Sequence, residues 1–265
     1  MGTQNVINSV SSSGSVTRVI YTSSMAAVSG AKAALLPDGY EWVETDWASD
    51  EVDEEVWNKP QNSYAKSKVD TEHLINNLAE ASLGQWDVIT MNPAMICGPI
   101  LFKAQVGQWI EQIGRIAEGL EPNWPTKYDR YYNIIDVRDL VRAHRLAAES
   151  EIDHTSTKGG SRYIMHGSGG RSALRLGTEI SDVISKLFPS FVLGTPASIT
   201  SKGEPIKIES RMFNDSKKAA SLLGATFRPV EETIRDLIQS SIELGTIQPL
   251  LTAVSYTHLT LPTKA

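Results

Sequence analysis

Tyr64 and Lys68 stand four positions apart in Ser63-Tyr64-Ala65-Lys66-Ser67-Lys68. On an α-helix that spacing sets both side chains on one face, one turn apart. A free tyrosine, with a pKa near ~10, is a poor proton carrier at neutral pH. A nearby ammonium stabilises the phenolate and draws that value toward the working range. Such a pair can protonate a carbonyl oxygen while hydride reaches the carbon. Alone the pattern is weak, because a structural tyrosine and a surface lysine share it in many helices. Its surroundings carry more weight. Upstream, Arg18-Val19-Ile20-Tyr21-Thr22 runs into Ser23-Ser24. If the run is a buried strand, its serines lie at the carboxyl edge of a parallel sheet, where ligands bind in such folds. A hydroxyl there can hydrogen-bond a carbonyl oxygen. Downstream come Asn92-Pro93-Ala94-Met95-Ile96-Cys97-Gly98-Pro99 and Asp136-Val137-Arg138-Asp139-Leu140-Val141-Arg142-Ala143-His144.

The elements that must position these residues follow from hydrophobic period and breakers. Strands are expected at Thr17–Tyr21, Trp86–Met91, Tyr131–Ile135 and Arg162–Met165, the second ended by Asn92-Pro93. A helix opens the chain around Asn5–Val10. Others are expected over about Asn62–Ser82, Gln105–Glu118, Asp136–Glu149, Ser172–Leu187, Asp215–Leu223 and Val230–Leu244, the last two closed by Gly224 and Gly245. Residues 30–62 read as irregular. Strands alternating with helices of this length imply an α/β fold with a parallel sheet.

Composition narrows the function. Apolar residues make up 41% of the 265, enough for a real core, and charged residues 21%. A net charge of −6 and the absence of basic–aromatic interleaving argue against nucleic acid and anionic membranes. The acidic run from Asp50 to Glu55 reads as a solvated loop. The single cysteine, Cys97, lies in an apolar run and reads as a core residue; no disulfide within the chain is possible. Five histidines show no ligand spacing, so no metal is expected. No apolar run is long enough to span a bilayer, and no signal peptide is seen. A cytoplasmic location is the expectation.

Taken in order, the strand ending in Thr-Ser-Ser, then YxxSK, NPxxxxGP and DVRDLxxAH resemble the extended short-chain dehydrogenase/reductase family. The wording is most similar to its dihydroflavonol-reductase-like branch. Asp215-Ser216-Lys217-Lys218-Ala219 and Phe227-Arg228-Pro229 resemble that family's last helices, so the likeness runs from about Gly2 to about Gly245. It implies a partial Rossmann-like parallel sheet with flanking helices and a small C-terminal substrate lobe. Residues 1–98, with 131–150 returning, would be the remaining part of the dinucleotide-binding domain; 99–249 would mainly bind substrate. Residues 250–265 read as an artefactual tail. The resemblance implies Ser24, Tyr64 and Lys68 as catalytic residues: Ser24 binding the substrate oxygen, Tyr64 as acid–base, Lys68 tuning Tyr64 and holding the nicotinamide ribose. Ser23, Pro93, Ala94, Met95 and Ile96 would line the cofactor. Asn5 resembles a residue that steadies the site from behind. Asp136, Arg138 and Asp139 read as structural, and His144 as a half-buried helix residue.

One departure stands out. The family's Gly-rich loop, which receives a pyrophosphate at a helix N-terminus, has no counterpart before Gly2. Gly167-Ser168-Gly169-Gly170 does not replace it: the third glycine would fall at Ser172, and no acidic residue follows at the right distance. The expectation is an N-terminally truncated fragment, inactive alone, with sheet strands left at an exposed edge. The expected activity of the complete protein is NAD(P)H-dependent reduction of an aldehyde or ketone, with NADP as cofactor and NAD possible. A nucleotide-sugar epimerase or dehydratase shares the three catalytic residues, and a non-catalytic dinucleotide-sensing regulator shares the fold. The expected partner is a small carbonyl substrate; its identity and the oligomeric state are not legible.

Overall fold

The computed structural model describes residues 2–37, 40–120, 128–129, 131–154, 160–167, 173–175, 178–193, 207–208, 213–214 and 216–252. Its principal helices are α1 (Gly2–Ser13), α2 (Ser63–Ala81), α3 (Gln108–Ala117), α4 (Val137–Glu149), α5 (Glu179–Leu187), α6 (Lys217–Leu223) and α7 (Val230–Glu243). The chain forms two compact units. The first holds Met1–Met95, Asn133–Ser172 and Arg211–Arg228; the second holds Ile96–Tyr132, Ala173–Ser210 and Pro229–Ala265.

In the first unit, β1 (Arg18–Thr22), β2 (Asp87–Pro93) and β3 (Arg162–Met165) form a sheet in the order β1-β2-β3. Both pairings are parallel, with Arg18 opposite Asp87 and Thr90 opposite Arg162. The fold is the expected α/β class. The central strand is buried from Val88 onward, as a parallel strand covered on both faces must be. Side chains alternate across it. Ile89 and Met91 pack with Leu140 and Ala143 of α4, Tyr163 and Met165 of β3, and Ala219 and Leu223 of α6. Val88 turns the other way, onto Ile7 of α1 and Ile75 of α2.

Two junctions set the ends of these elements. Asp136 caps α4, its carboxylate accepting from the Arg138 N–H at 2.8 Å, which satisfies one of the helix's orphan donors. Gly224 closes α6 in the left-handed region, at φ 64°, where a residue with Cβ is strained.

Several boundaries differ from expectation. β2 runs through Pro93, which lies opposite Met165. The Ala94 N–H continues that ladder by donating to Met165 O at 2.9 Å. Amides alternate sides along a strand, so the N–H that proline lacks would have faced the β1 side. The proline therefore breaks no bond of the β2–β3 ladder. The helix expected over Ser172–Leu187 is instead a short strand, Ala173–Arg175, followed by α5 from Glu179. Gly177, a poor helix former, separates the two. Lys103–Gln105 is a 3₁₀ turn and α3 begins only after Gly107. Residues 30–62 contain helical turns at Ala31–Leu35, Glu54–Trp57 and Pro60–Asn62.

The second unit packs α3, α5 and α7 together around Ile113, Ile116, Ile180, Ile184, Ile234 and Leu237. Leu251 bridges Phe191, with Val192 N–H donating to Leu250 O at 2.7 Å and Thr252 N–H to Ser190 O at 2.9 Å. So residues 250–252 of the expected tail are paired, and 253–265 lie outside the described residues. Among the described residues no helix is long and apolar enough to cross a membrane.

One packing feature carries a pH signature. Lys218 of α6 donates to the carbonyls of Gly160 and Arg162, at 2.5 and 2.9 Å, and lies 4.5 Å from the Tyr163 ring centre. Burial pushes its ammonium from 10.5 down to about 8. A depressed amine binds fewer protons folded than unfolded between those values, so stability rises with pH through that window. Burial also raises Tyr163 to about 12; the unfolded chain loses that proton sooner, so its effect is opposite and begins above about pH 10. Urea denaturation at about pH 7.5 and 9.5 is expected to show a gain on the order of 1 kcal/mol, discounted for partial solvation. Lys218→Met is expected to abolish the gain. An equal rise in the variant would refute the assignment.

Candidate active site

The site is built where β1 and β2 end. Past Thr22 the chain keeps its register, with the Ser23 N–H donating to Met91 O at 2.7 Å. Ser24 is extended (φ −161°, ψ 153°), and its hydroxyl oxygen accepts from the Ala26 N–H at 3.1 Å. That contact caps the single 3₁₀ turn Met25–Ala27. Ala27 then packs against Ala65 and Val69, on the buried face of α2. Gly30 closes the turn against Ala48; a Cβ there would come within 2.6 Å of the Ala48 side chain, so this position takes only glycine.

Tyr64 lies in the first turn of α2 and is 58% exposed, unusual for a large aromatic residue. Lys68 follows one turn later. Its ammonium donates to Thr22 O at 3.2 Å and lies 5.8 Å from the Tyr64 ring centre and 5.4 Å from that of Tyr21. The amine is thus held at the carboxyl end of β1 with two aromatic rings beside it. Thr22 Oγ1 lies 2.8 Å from His144 Nε2, and His144 Nδ1 lies 2.8 Å from Leu140 O. A carbonyl only accepts, so Nδ1 carries a hydrogen, and in the neutral ring Nε2 accepts from the threonine. His144, expected as a half-buried helix residue, ties α4 to the same strand end.

The remaining expected residues are placed as follows. Pro93 and Met95 are buried and Ala94 partly so, at the end of β2. Ile96 begins the second unit and is exposed. The Ser23 side chain is buried and its hydroxyl donates to Glu72, so Ser23 offers a ligand only its main chain. Asn5 is exposed on α1.

Three residues to which the sequence assigned no role complete the setting. Glu72 is fully buried, and its carboxylate accepts from Asn92 Nδ2 and from Arg162 Nε, both at 2.7 Å. Asn92 Nδ2 also donates to Ser24 O at 3.2 Å. Arg162 donates to the carbonyls of Glu44 and Asp46, at 2.8 and 2.6 Å, and lies 3.8 Å from the Trp47 ring centre. Burial pushes its guanidinium below the usual value, against the pull of Glu72. A signal for Glu72 was available: it falls on the buried stripe Ala65, Val69, Glu72, Ile75 of α2. A carboxylate at an apolar position on a helix requires a partner. A cavity of about 720 Å³, lined by Glu44, Trp47, Trp86, Asp87 and Arg162 among others, lies at the start of β2 and β3, the far end of the strands from Ser24.

Comparison with known proteins places the chain in a family. The sequence profile of the NAD dependent epimerase/dehydratase family matches residues 1–157. Cinnamoyl-CoA reductase CAD2 of Medicago truncatula is 26% identical over 245 residues, covering 90% of this chain and 64% of that protein. The NADPH-dependent methylglyoxal reductase GRE2 of Saccharomyces cerevisiae is 27% identical over 250 residues, covering 89% of this chain and 67% of that protein. The chain thus spans about two thirds of the length of these relatives. Among solved structures, vestitone reductase from alfalfa superposes with a TM-score of 0.70 at 22% identity, covering 93% of this chain and 71% of that one. That likeness shows a shared fold.

Proposed function

The chain belongs to the NAD dependent epimerase/dehydratase family, and from that premise we propose that the protein is an NADPH-dependent reductase of small aldehydes or ketones. The observation that supports this reading is the Lys68 ammonium bonded to Thr22 O at the carboxyl end of β1, two residues before Ser24, with the Tyr64 ring 5.8 Å from it. Ligands bind at such strand ends. An exposed tyrosine hydroxyl and an ammonium held in place are the donors that the diol of a nicotinamide ribose and a carbonyl oxygen require. The reductase names of the matched relatives, one of them NADPH-dependent, support both the reaction and the cofactor.

Each side chain then has one task. Ser24 uses its oxygen to cap the 3₁₀ turn and gives its own hydrogen to the substrate oxygen. Tyr64 delivers a proton to that oxygen as the carbonyl is reduced. Lys68 supports the tyrosinate that remains and binds the ribose hydroxyls. NADPH, when bound, supplies the hydride that reduces the carbonyl carbon. By the same resemblance, the second unit is proposed to carry substrate recognition.

The protein, expressed at its natural length, is expected to consume NADPH with members of an aldehyde and ketone panel and to yield alcohol in equal amount. Turnover of nucleotide-sugars with no net consumption of NADPH would instead favour an epimerase. Dinucleotide binding with turnover of neither class would favour a sensor.

A further inference from the structure

We propose that Glu72 is a positioning residue of this site, acting through Ser23 and Asn92 to lock the Ser24 turn against the helix that carries Tyr64 and Lys68. The inference rests on the reductase reading above. Glu72 follows Tyr64 by eight residues and Lys68 by four on α2, and is 0% exposed. One carboxylate oxygen accepts from the Ser23 hydroxyl and from Asn92 Nδ2; the other accepts from Arg162 Nε. The same Asn92 amide nitrogen donates to Ser24 O at 3.2 Å. One carboxylate therefore joins the catalytic helix, the turn after β1, the end of β2 and the start of β3.

Packing alone does not call for a charge here. Burying an ion pair costs several kcal/mol per ion, and an apolar pair of similar volume often serves stability as well or better. What an apolar residue cannot do is accept three donors at once, two of which belong to the catalytic turn and the strand beside it. The network has two separable halves. Arg162, with Glu44, Asp46 and Trp47 around it, neutralises the charge and holds the core. Ser23 and Asn92 transmit the position of α2 to Ser24. Misplacing a catalytic group by about 1 Å can cost on the order of 100-fold in rate, so a loosened turn should appear in turnover before it appears in stability.

Ser23→Ala removes one bond of the positioning half and leaves the Glu72–Arg162 pair intact. In Glu72→Gln the amide NH₂ must oppose either Arg162 or the Ser23–Asn92 pair, donor against donor. In the natural-length protein, Ser23→Ala is expected to lower kcat about tenfold, with the KM for NADPH within about twofold and the melting temperature nearly unchanged. Glu72→Gln is expected to lower kcat further and to lower the melting temperature. Combined with Ser23→Ala it is expected to cost no more in kcat than alone, since both act through one contact. Additive losses, or a Ser23→Ala enzyme with unchanged kcat, would overturn the proposal. If Glu72→Gln does not fold, Ser23→Ala decides by itself. Tyr64→Phe, run alongside, separates the two levels: its full activity would sink the reductase reading, whereas its inactivity beside an unimpaired Ser23→Ala would sink only the role of Glu72.

Discussion

Tyr64→Phe is expected to lower kcat for carbonyl reduction by about 10²- to 10⁴-fold, the usual contribution of a positioned general acid. The structure explains why this loss should be purely chemical. The Tyr64 side chain is largely exposed, so removing its hydroxyl leaves no buried donor unsatisfied and should alter stability by no more than an ordinary surface change. Lys68 keeps its bond to Thr22 O, so the cationic half of the cofactor contact survives. The expected signature is a collapsed kcat with the KM for NADPH and the melting temperature almost unchanged. Initial rates at saturating NADPH, together with a thermal melt of each protein, check it. A variant retaining more than about a tenth of parental kcat would remove Tyr64 from the proton-transfer role.

The second large effect concerns stability. Arg162→Leu strands the Glu72 carboxylate in the core without its counter-charge. It also deprives the carbonyls of Glu44 and Asp46 of their donor. Removing one partner of a buried pair costs about 3–5 kcal/mol, which for a chain of this size lowers the melting temperature on the order of 10 °C. The loss should shrink when Glu72 is made apolar in the same protein, because the uncompensated charge is then gone. Urea denaturation of the single and double variants checks both statements. A single variant as stable as the parent would show that the pair does not hold the core.

The face proposed to be catalytic was legible in the sequence because its geometry is local. Tyr64 and Lys68 share a helical face by spacing alone, and the β-branched run from Arg18 to Thr22 announces a strand that ends at the serines. The strands expected at Thr17–Tyr21, Trp86–Met91 and Arg162–Met165 form the parallel sheet, whereas the one expected at Tyr131–Ile135 pairs in a separate sheet; the caps at Asp136 and Gly224 follow from residue type. Glu72 was harder to read because its partners depend on strand order. Arg162 lies 90 positions away and reaches α2 only because β3 pairs with β2. Asn92 and Ser23 enter the network through the same adjacency. The strand at Ala173–Arg175 sits in a segment whose apolar spacing also suits a helix, so periodicity could not separate the two states. Pro93 misled for a different reason: proline forbids a donor, but only on the side where a partner strand would need one.

The central claim is that hydride and proton meet at a carbonyl group held by Ser24 and Tyr64. Deuterium placed at the transferable position of NADPH tests it most directly. The account predicts one deuterium on the former carbonyl carbon of the alcohol product, in equal amount to the NADPH oxidised, and labelled product formed about 10²- to 10⁴-fold more slowly by Tyr64→Phe. Unlabelled alcohol, or a labelled product formed equally well without the Tyr64 hydroxyl, would contradict it.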